Sequence, residues 1–329
     1  MGVEPFIDDK NNMYLLGEKI APGKSIRINF NTARLHTHTS VEIPVIVERS
    51  KVKGPVFLIT AGIHGDEING VEIVRQLIDK GINKPTKGSI ICIPVLNVFG
   101  FISKTREFPD GRDLNRVFPG TKNGALASRF AYQFTKEILP IADVCLDFHT
   151  GGAARFNAPQ IRIAKQNTKD VKLAKVFNAP FTVYSPNIKK SYRITCEGMG
   201  IPCLLYEGGK SHDINIDVTR HAIEGTKRVL AHYQMLRKDI QLTQDNEKSI
   251  FIEETFWMRA KYSGMFHLKI PIGKKVKKGE IMAHITDPYG SFKHKVKATA
   301  DGYVINVNEA AIVYQGDAIF HVSKEKSDD

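Results

Sequence analysis

His64 and Glu67 stand three residues apart, after the apolar, β-branched-rich run Val56 to Thr60 and just before a helical pattern that begins at Ile68. The run reads as a buried strand closed by Gly62, which puts the pair on a strand-to-helix turn. Open α/β sheets place their chemistry there, beyond the carboxyl ends of the strands. An imidazole and a carboxylate at this spacing can both reach one cation, and the third ligand must then come from elsewhere in the chain. Catalytic zinc sites use such a set, commonly two His and one Glu, with a position left open for water. His-x-x-Glu also occurs often by chance, so its weight depends on what accompanies it.

Several residues qualify. His149, in LDFHTG, follows a strand-like run and precedes a Gly turn, and Asp147, two positions earlier, shares its face and could orient a ligand. Arg106, Arg112 and Arg116 lie within eleven positions of one loop, together with Asn115. Arginine grips carboxylates through a two-pronged fork, so this loop reads as a carboxylate clamp. Glu207 ends the apolar strand PCLLYEGG, where a partly desolvated carboxylate suits a general base near neutral pH. Each has a plainer reading alone: a satisfied loop histidine, an Asp bonding turn amides, solvated arginines, a structural strand-end Glu. His36-Thr-His38 competes as a strand-borne metal pair, although its polar neighbours read as a solvated β segment.

The elements that must position these residues alternate. Residues 1 to about 50 read as a lead-in hairpin region, with Pro44 suggesting an edge strand. A strand at 55–62, a helix at about 68–80 and a strand at 89–97 follow, and a polar loop spans 99–123. A helix at 126–139, a strand at 142–152, a short helix near 191–199, a strand at 202–209 and a helix at about 217–236 complete the series. Strand and helix alternating over this length predict a three-layer α/β/α domain around a mixed, mostly parallel sheet. Beyond QLTQDNEKS helical spacing vanishes, and short β runs with Gly turns resemble a small lipoyl/biotinyl-like barrel-sandwich module. DPYGSF stands where such carriers present a modifiable Lys, so an accessory β domain is expected instead. The division predicted is 1–245 for the α/β domain and 246–329 for the β domain with a short disordered tail.

Composition narrows the classes. At 42% hydrophobic and 25% charged residues over 329 positions, the chain reads as globular rather than disordered. No apolar run approaches a membrane span, and the start shows neither a signal peptide nor a myristoylation pattern, so a cytoplasmic protein with no membrane partner is expected. Four cysteines without CxxC spacing read as reduced core residues. The net charge of +12 could mean nucleic acid, but the lysines are scattered rather than grouped into a stripe interleaved with aromatics, and a field that draws small acids fits equally well, so charge alone does not decide; no nucleic-acid partner is expected.

Taken in order, His64-Gly-Asp-Glu67, Asp113-Leu-Asn115-Arg116, Asp147-Phe-His149 and Glu207-Gly-Gly resemble the succinylglutamate desuccinylase/aspartoacylase family, a branch of the zinc carboxypeptidase superfamily, over roughly residues 20–325. The resemblance implies one zinc per chain held by His64, Glu67 and His149, with Glu207 as the base that activates water and protonates the leaving nitrogen. It implies Arg106 at the scissile carbonyl and Asn115 and Arg116 on the substrate carboxylate, with Arg112 as a further candidate close by. The activity implied is hydrolysis of an N-acyl amino acid or related small acid, and homodimers are common in that family. A carboxypeptidase acting on short peptides and a non-catalytic basic binding protein are the rival readings.

Overall fold

The computed structural model describes residues 4–34, 40–243 and 247–324, and the His36-Thr-His38 pair lies outside them. One thirteen-stranded sheet runs through the molecule. At its centre the strands Cys203–Lys210, Val144–Gly151, Val56–Ala61 and Ser89–Ile93 lie side by side and parallel. Every residue of Val56–Ala61, Ser89–Ile93 and Val144–Gly151 is buried, as expected of parallel strands covered on both faces. Their side chains divide by alternation. Leu58, Ile91 and Cys145 pack with Phe130, Phe134 and Tyr192 of the helices Leu126–Glu137 and Tyr192–Gly198. Phe57, Ile59, Leu146 and Phe148 pack on the other face with Ile73, Leu173 and Ala222 of the helices Ile68–Asp79, Thr168–Phe177 and Ile216–His232. The three-layer α/β/α arrangement expected from the alternating pattern is present.

Two glycines set the distances that matter for the turn after Val56–Ala61. A Cβ on Gly70 would lie 2.4 Å from the Phe148 carbonyl oxygen, so its absence lets the first turn of helix Ile68–Asp79 rest on the strand that bears His149. At Gly65 a Cβ would lie 1.9 Å from the Gly100 carbonyl carbon, so backbone packs on backbone between the turn and the helix Val98–Ser103.

Flanking strands depart from the sequence expectation in instructive ways. The 99–123 stretch, read as loop, begins within the helix Val98–Ser103 and contains a single 3-10 turn, Leu114–Arg116. Asn97 accepts a hydrogen bond from Gly100 N and so caps a helix of six residues, too short to show a period. Residues before Ser25 form a separate three-stranded sheet rather than part of one hairpin. Pro44 does not mark an edge: Ser40–Arg49 lies inside the sheet between Ser25–Arg34 and Ser89–Ile93. Pro44 pairs with Asn29 of Ser25–Arg34, while pairing with Ser89–Ile93 covers only Ile46–Arg49, so on that side no ladder bond needs its missing N–H.

Beyond residue 247 the chain is all β, with a four-stranded sheet of its own. Three further strands, Gly302–Asn308, Ala318–Ser323 and Thr255–Arg259, extend the main sheet past Arg155–Ile163. Among the described residues no helix is long and apolar enough to cross a membrane.

Candidate metal centre and active site

Helix Ile68–Asp79 starts at Glu67, whose side chain does not cap the helix but turns to two imidazoles. His64 Nδ1 lies 2.6 Å from Glu67 Oε1, and His149 Nδ1 lies 3.0 Å from Glu67 Oε2. The candidate donor atoms of these three buried residues all fall within 4.8 Å of one another. Each imidazole is held from behind. His64 Nε2 is 3.0 Å from Asp113 Oδ1, and His149 Nε2 is 2.7 Å from Asp147 Oδ2. Asp147 also accepts a bond from Thr60 Oγ1 at 2.7 Å, which fixes it across to the neighbouring strand. The carboxylate–imidazole pairs settle which ring nitrogen faces inward, the arrangement by which metal-binding proteins orient their ligands.

Charge shows what the cluster accepts. Asp113, Asp147 and Glu67 are carboxylates, and among the described residues the one guanidinium touching them is Arg106, 2.8 Å from Asp113 Oδ2 and 3.3 Å from Glu67 Oε1. Three negative charges against one leave two to be neutralised where the side chains of His64, Glu67 and His149 are buried. Protons on both imidazoles would do so: burial opposes a charged His149, yet Asp147 and Glu67 outweigh it and hold its pKa well above the ordinary value. His64 is raised for the same reason, against its own burial, by Glu67 and Asp113. Burial likewise works against the Glu67 carboxylate, but the two imidazoles hold it well below the usual range. A divalent cation replacing the two Nδ1 protons carries the same charge, and the two-nitrogen, one-carboxylate donor set is that of a catalytic zinc site.

The cluster opens onto a cleft of about 910 Å³ that contains Arg106, Asn115, Arg116 and Glu207. Asp113 accepts from Asn115 N at 2.8 Å and so caps the turn that carries Asn115 and Arg116. Asn115 Oδ1 in turn accepts from Tyr192 N at 2.8 Å, fixing that turn to the helix Tyr192–Gly198. Glu207 pairs in register with His149 on the adjacent parallel strand, so both side chains emerge on one face. The register slips directly after Glu207, at Gly209 (φ +76°), a bulge of the kind that re-aims a side chain beside an active site. Arg112 is the predicted residue the fold does not bring in: it is exposed, 3.7 Å from Asp110, and outside the cleft lining.

Other residues in the cleft had no motif to announce them. Asn157, Arg155 and Arg162 come from the strand Arg155–Ile163, His212 follows Cys203–Lys210, and Trp257 and Asn306 come from the C-terminal β region. Trp257 lies flat on His321, with ring centroids 4.3 Å apart. That Trp257 is the chain's single tryptophan was the one signal available in the sequence.

Comparison with known proteins agrees with this geometry. The model of the succinylglutamate desuccinylase/aspartoacylase catalytic domain matches residues 53–233. An N-alpha-acetyl-L-2,4-diaminobutyric acid deacetylase from Halomonas elongata is 27% identical over 296 residues, covering 85% of each chain. Among solved structures, a succinylglutamate desuccinylase/aspartoacylase from Rhodobacter sphaeroides superposes with a TM-score of 0.77 at 25% identity, covering 92% of this chain and 96% of that one. The product-bound ectoine utilization protein EutE (DoeB) from Ruegeria pomeroyi superposes with a TM-score of 0.79 at 24% identity, covering 98% of this chain and 99% of that one.

Proposed function

The chain belongs to the succinylglutamate desuccinylase/aspartoacylase family, and from that premise we propose that it is a zinc-dependent amidohydrolase that removes the acyl group from an N-acyl amino acid or related small acid. The observation that carries this reading is the convergence of His64 Nδ1, His149 Nδ1 and the Glu67 carboxylate in a cleft shared with Glu207 and Arg106. The Halomonas relative, a deacetylase by name, supports the substrate class.

In this reading His64, Glu67 and His149 hold one zinc ion. Zinc, when bound, supplies Lewis acidity and lowers the pKa of its water to about 7. Glu207 takes a proton from the attacking water and returns it to the leaving nitrogen. Arg106 donates to the carbonyl oxygen as negative charge develops there, a role for which its two carboxylate partners pre-orient the guanidinium. Asn115 and Arg116, on a turn anchored at both Asp113 and Tyr192, bind the substrate carboxylate. Asp113 and Asp147 hold the imidazoles. We also propose dividing the chain into a hydrolase part, 1–245, and an accessory β part, 246–329, laced to it through the sheet. Four buried cysteines without a disulfide fit a reducing compartment such as the cytoplasm.

The test is release of free amine from a panel of N-acyl amino acids, with and without chelator, by the wild type and Glu207→Gln. The variant is expected to keep its metal and lose nearly all turnover. Substantial activity in it would remove Glu207 from the mechanism, and activity untouched by chelator would remove the metal.

A further inference from the structure

We propose that Asn306 and Asn157 form a two-amide chain that positions Glu207, leaving one chosen carboxylate oxygen, Oε1, to act on the water. The proposal rests on the reading of Glu207 as the base. Asn157 Nδ2 donates to Glu207 Oε2 at 2.8 Å, and Asn306 Nδ2 donates to Asn157 Oδ1 at 2.7 Å. An ionised carboxylate only accepts, so Asn157 must turn its NH2 towards Glu207 and its oxygen towards Asn306. Asn306 must then present its own NH2, and the direction of the whole chain is set. Both asparagines are almost wholly buried at the wall of the cleft, so each amide makes its bonds to protein partners. With Oε2 engaged, Oε1 remains: its nearest cationic neighbour, Arg162 Nη1, is 3.8 Å away, outside hydrogen-bond range.

The chain follows the sheet ladder. Asn306 pairs with Asn157, and Asn157 pairs with Gly209 just past the bulge that follows Glu207. Asn306 stands on Gly302–Asn308, so the all-β C-terminal region reaches the base through hydrogen bonds rather than by covering the cleft alone. Asn306 Oδ1 is buried without a partner among the described residues. A side chain present only to fill space would avoid that cost.

Asn306→Asp separates positioning from packing. It is nearly isosteric, but an aspartate only accepts, so Asn157 must reverse and turn its oxygen on Glu207. The expected result is a fall in kcat of roughly 10–100-fold, the usual loss for a group that orients an active-site residue, with KM within about twofold. Asn306→Ala, which merely deletes the donor, should cost less. Asn157→Ala combined with Asn306→Ala should cost no more than Asn157→Ala alone, since a chain broken once cannot be broken again. A packing role predicts additive losses in the double variant, since the buried charge of Asn306→Asp costs stability under either role. Additive losses, or an Asn306→Asp enzyme with wild-type kcat, overturn the proposal. Should Asn306→Asp fail to fold, by its melting curve, the alanine cycle decides. Glu207→Gln separates the two readings: if it stays active, the base assignment and this proposal fall together. If Glu207→Gln is dead while Asn306→Asp turns over normally, only the positioning chain is lost.

Discussion

Replacing the two aspartates behind the imidazoles should weaken zinc binding unequally, and the structure says which loses more. Asp147 is 3% exposed at its side chain and Asp113 is 23% exposed. Asparagine has the same shape as aspartate, but half of its head is a donor. In Asp113→Asn the NH2 must face either His64 Nε2 and Asn115 N or the Arg106 guanidinium, and every one of those is a donor. In Asp147→Asn the NH2 faces His149 Nε2 or the Thr60 hydroxyl, and the hydroxyl can rotate to accept. A hydrogen bond to a charged group contributes about 1.5–3 kcal/mol, and more of that is lost where water cannot compensate. The partly wetted Asp113→Asn is therefore expected near the lower figure, roughly tenfold in zinc affinity, at about 1.4 kcal/mol per decade. Both variants lose a charge, but at Asp147, dry apart from its protein partners, no water replaces it; this outweighs the relief of a rotating Thr60, and the loss should approach a hundredfold. Competition against a chromophoric chelator at fixed pH gives both constants. Equal affinities, or a larger loss for Asp113→Asn, would refute the reasoning that burial ranks the two supports. No loss in either would mean the imidazoles hold their orientation without them.

Three further outcomes follow from particular contacts. Gly65→Ala puts a methyl 1.9 Å from the Gly100 carbonyl carbon, so it should lower stability by at least about 1–3 kcal/mol in urea denaturation and weaken zinc binding; an unchanged midpoint would show that the turn moves freely. Burial pushes Asp170 up to about 6 from 3.8, so the folded state binds a proton that the unfolded state has released. For an acid raised in this way the ionised fold carries the cost: it is absent below pH 3.8, grows between 3.8 and 6, and is complete above 6, where it reaches about 3 kcal/mol. Asp170→Asn should therefore gain up to about that much stability at pH 8 and almost none at pH 3.5, and a gain independent of pH would exclude the effect. Trp257, the sole tryptophan, lines the cleft at 40% exposure, so saturating N-acyl amino acid should shift its emission; a spectrum that does not move would place the substrate away from the C-terminal strands.

The His64–Glu67–His149 cluster was legible in the sequence because its parts sit at strand ends, where local pattern carries position. His64 and Glu67 follow Val56–Ala61, and Asp147 and His149 close Val144–Gly151 on one face, so alternation and a turn sufficed. Helix Leu126–Glu137 was legible from its apolar spacing, whereas the six residues of Val98–Ser103, with Gly100 among them, give no period to read. Asn157, Asn306 and Trp257 were illegible for another reason. Asn306 meets Asn157 through strands 149 positions apart, and a bulge after Glu207 shifts the separate register of Cys203–Lys210 on Arg155–Ile163 by an amount no motif records. The Arg112–Arg116 stretch shows the same limit in miniature. A 3-10 turn over Leu114–Arg116 keeps Arg116 at the cleft, while Arg112, just before the turn, is left beside Asp110.

Because Gly302–Asn308 is bonded edge to edge with Arg155–Ile163, the C-terminal region is not a lid on a hinge. Swinging it aside would break the ladder at Asn157, the residue that donates to Glu207. A chain trimmed after residue 243 would expose a raw strand edge along 155–157 and remove the amide that holds Asn157 against Glu207, yielding a sticky remnant in place of a slimmer hydrolase.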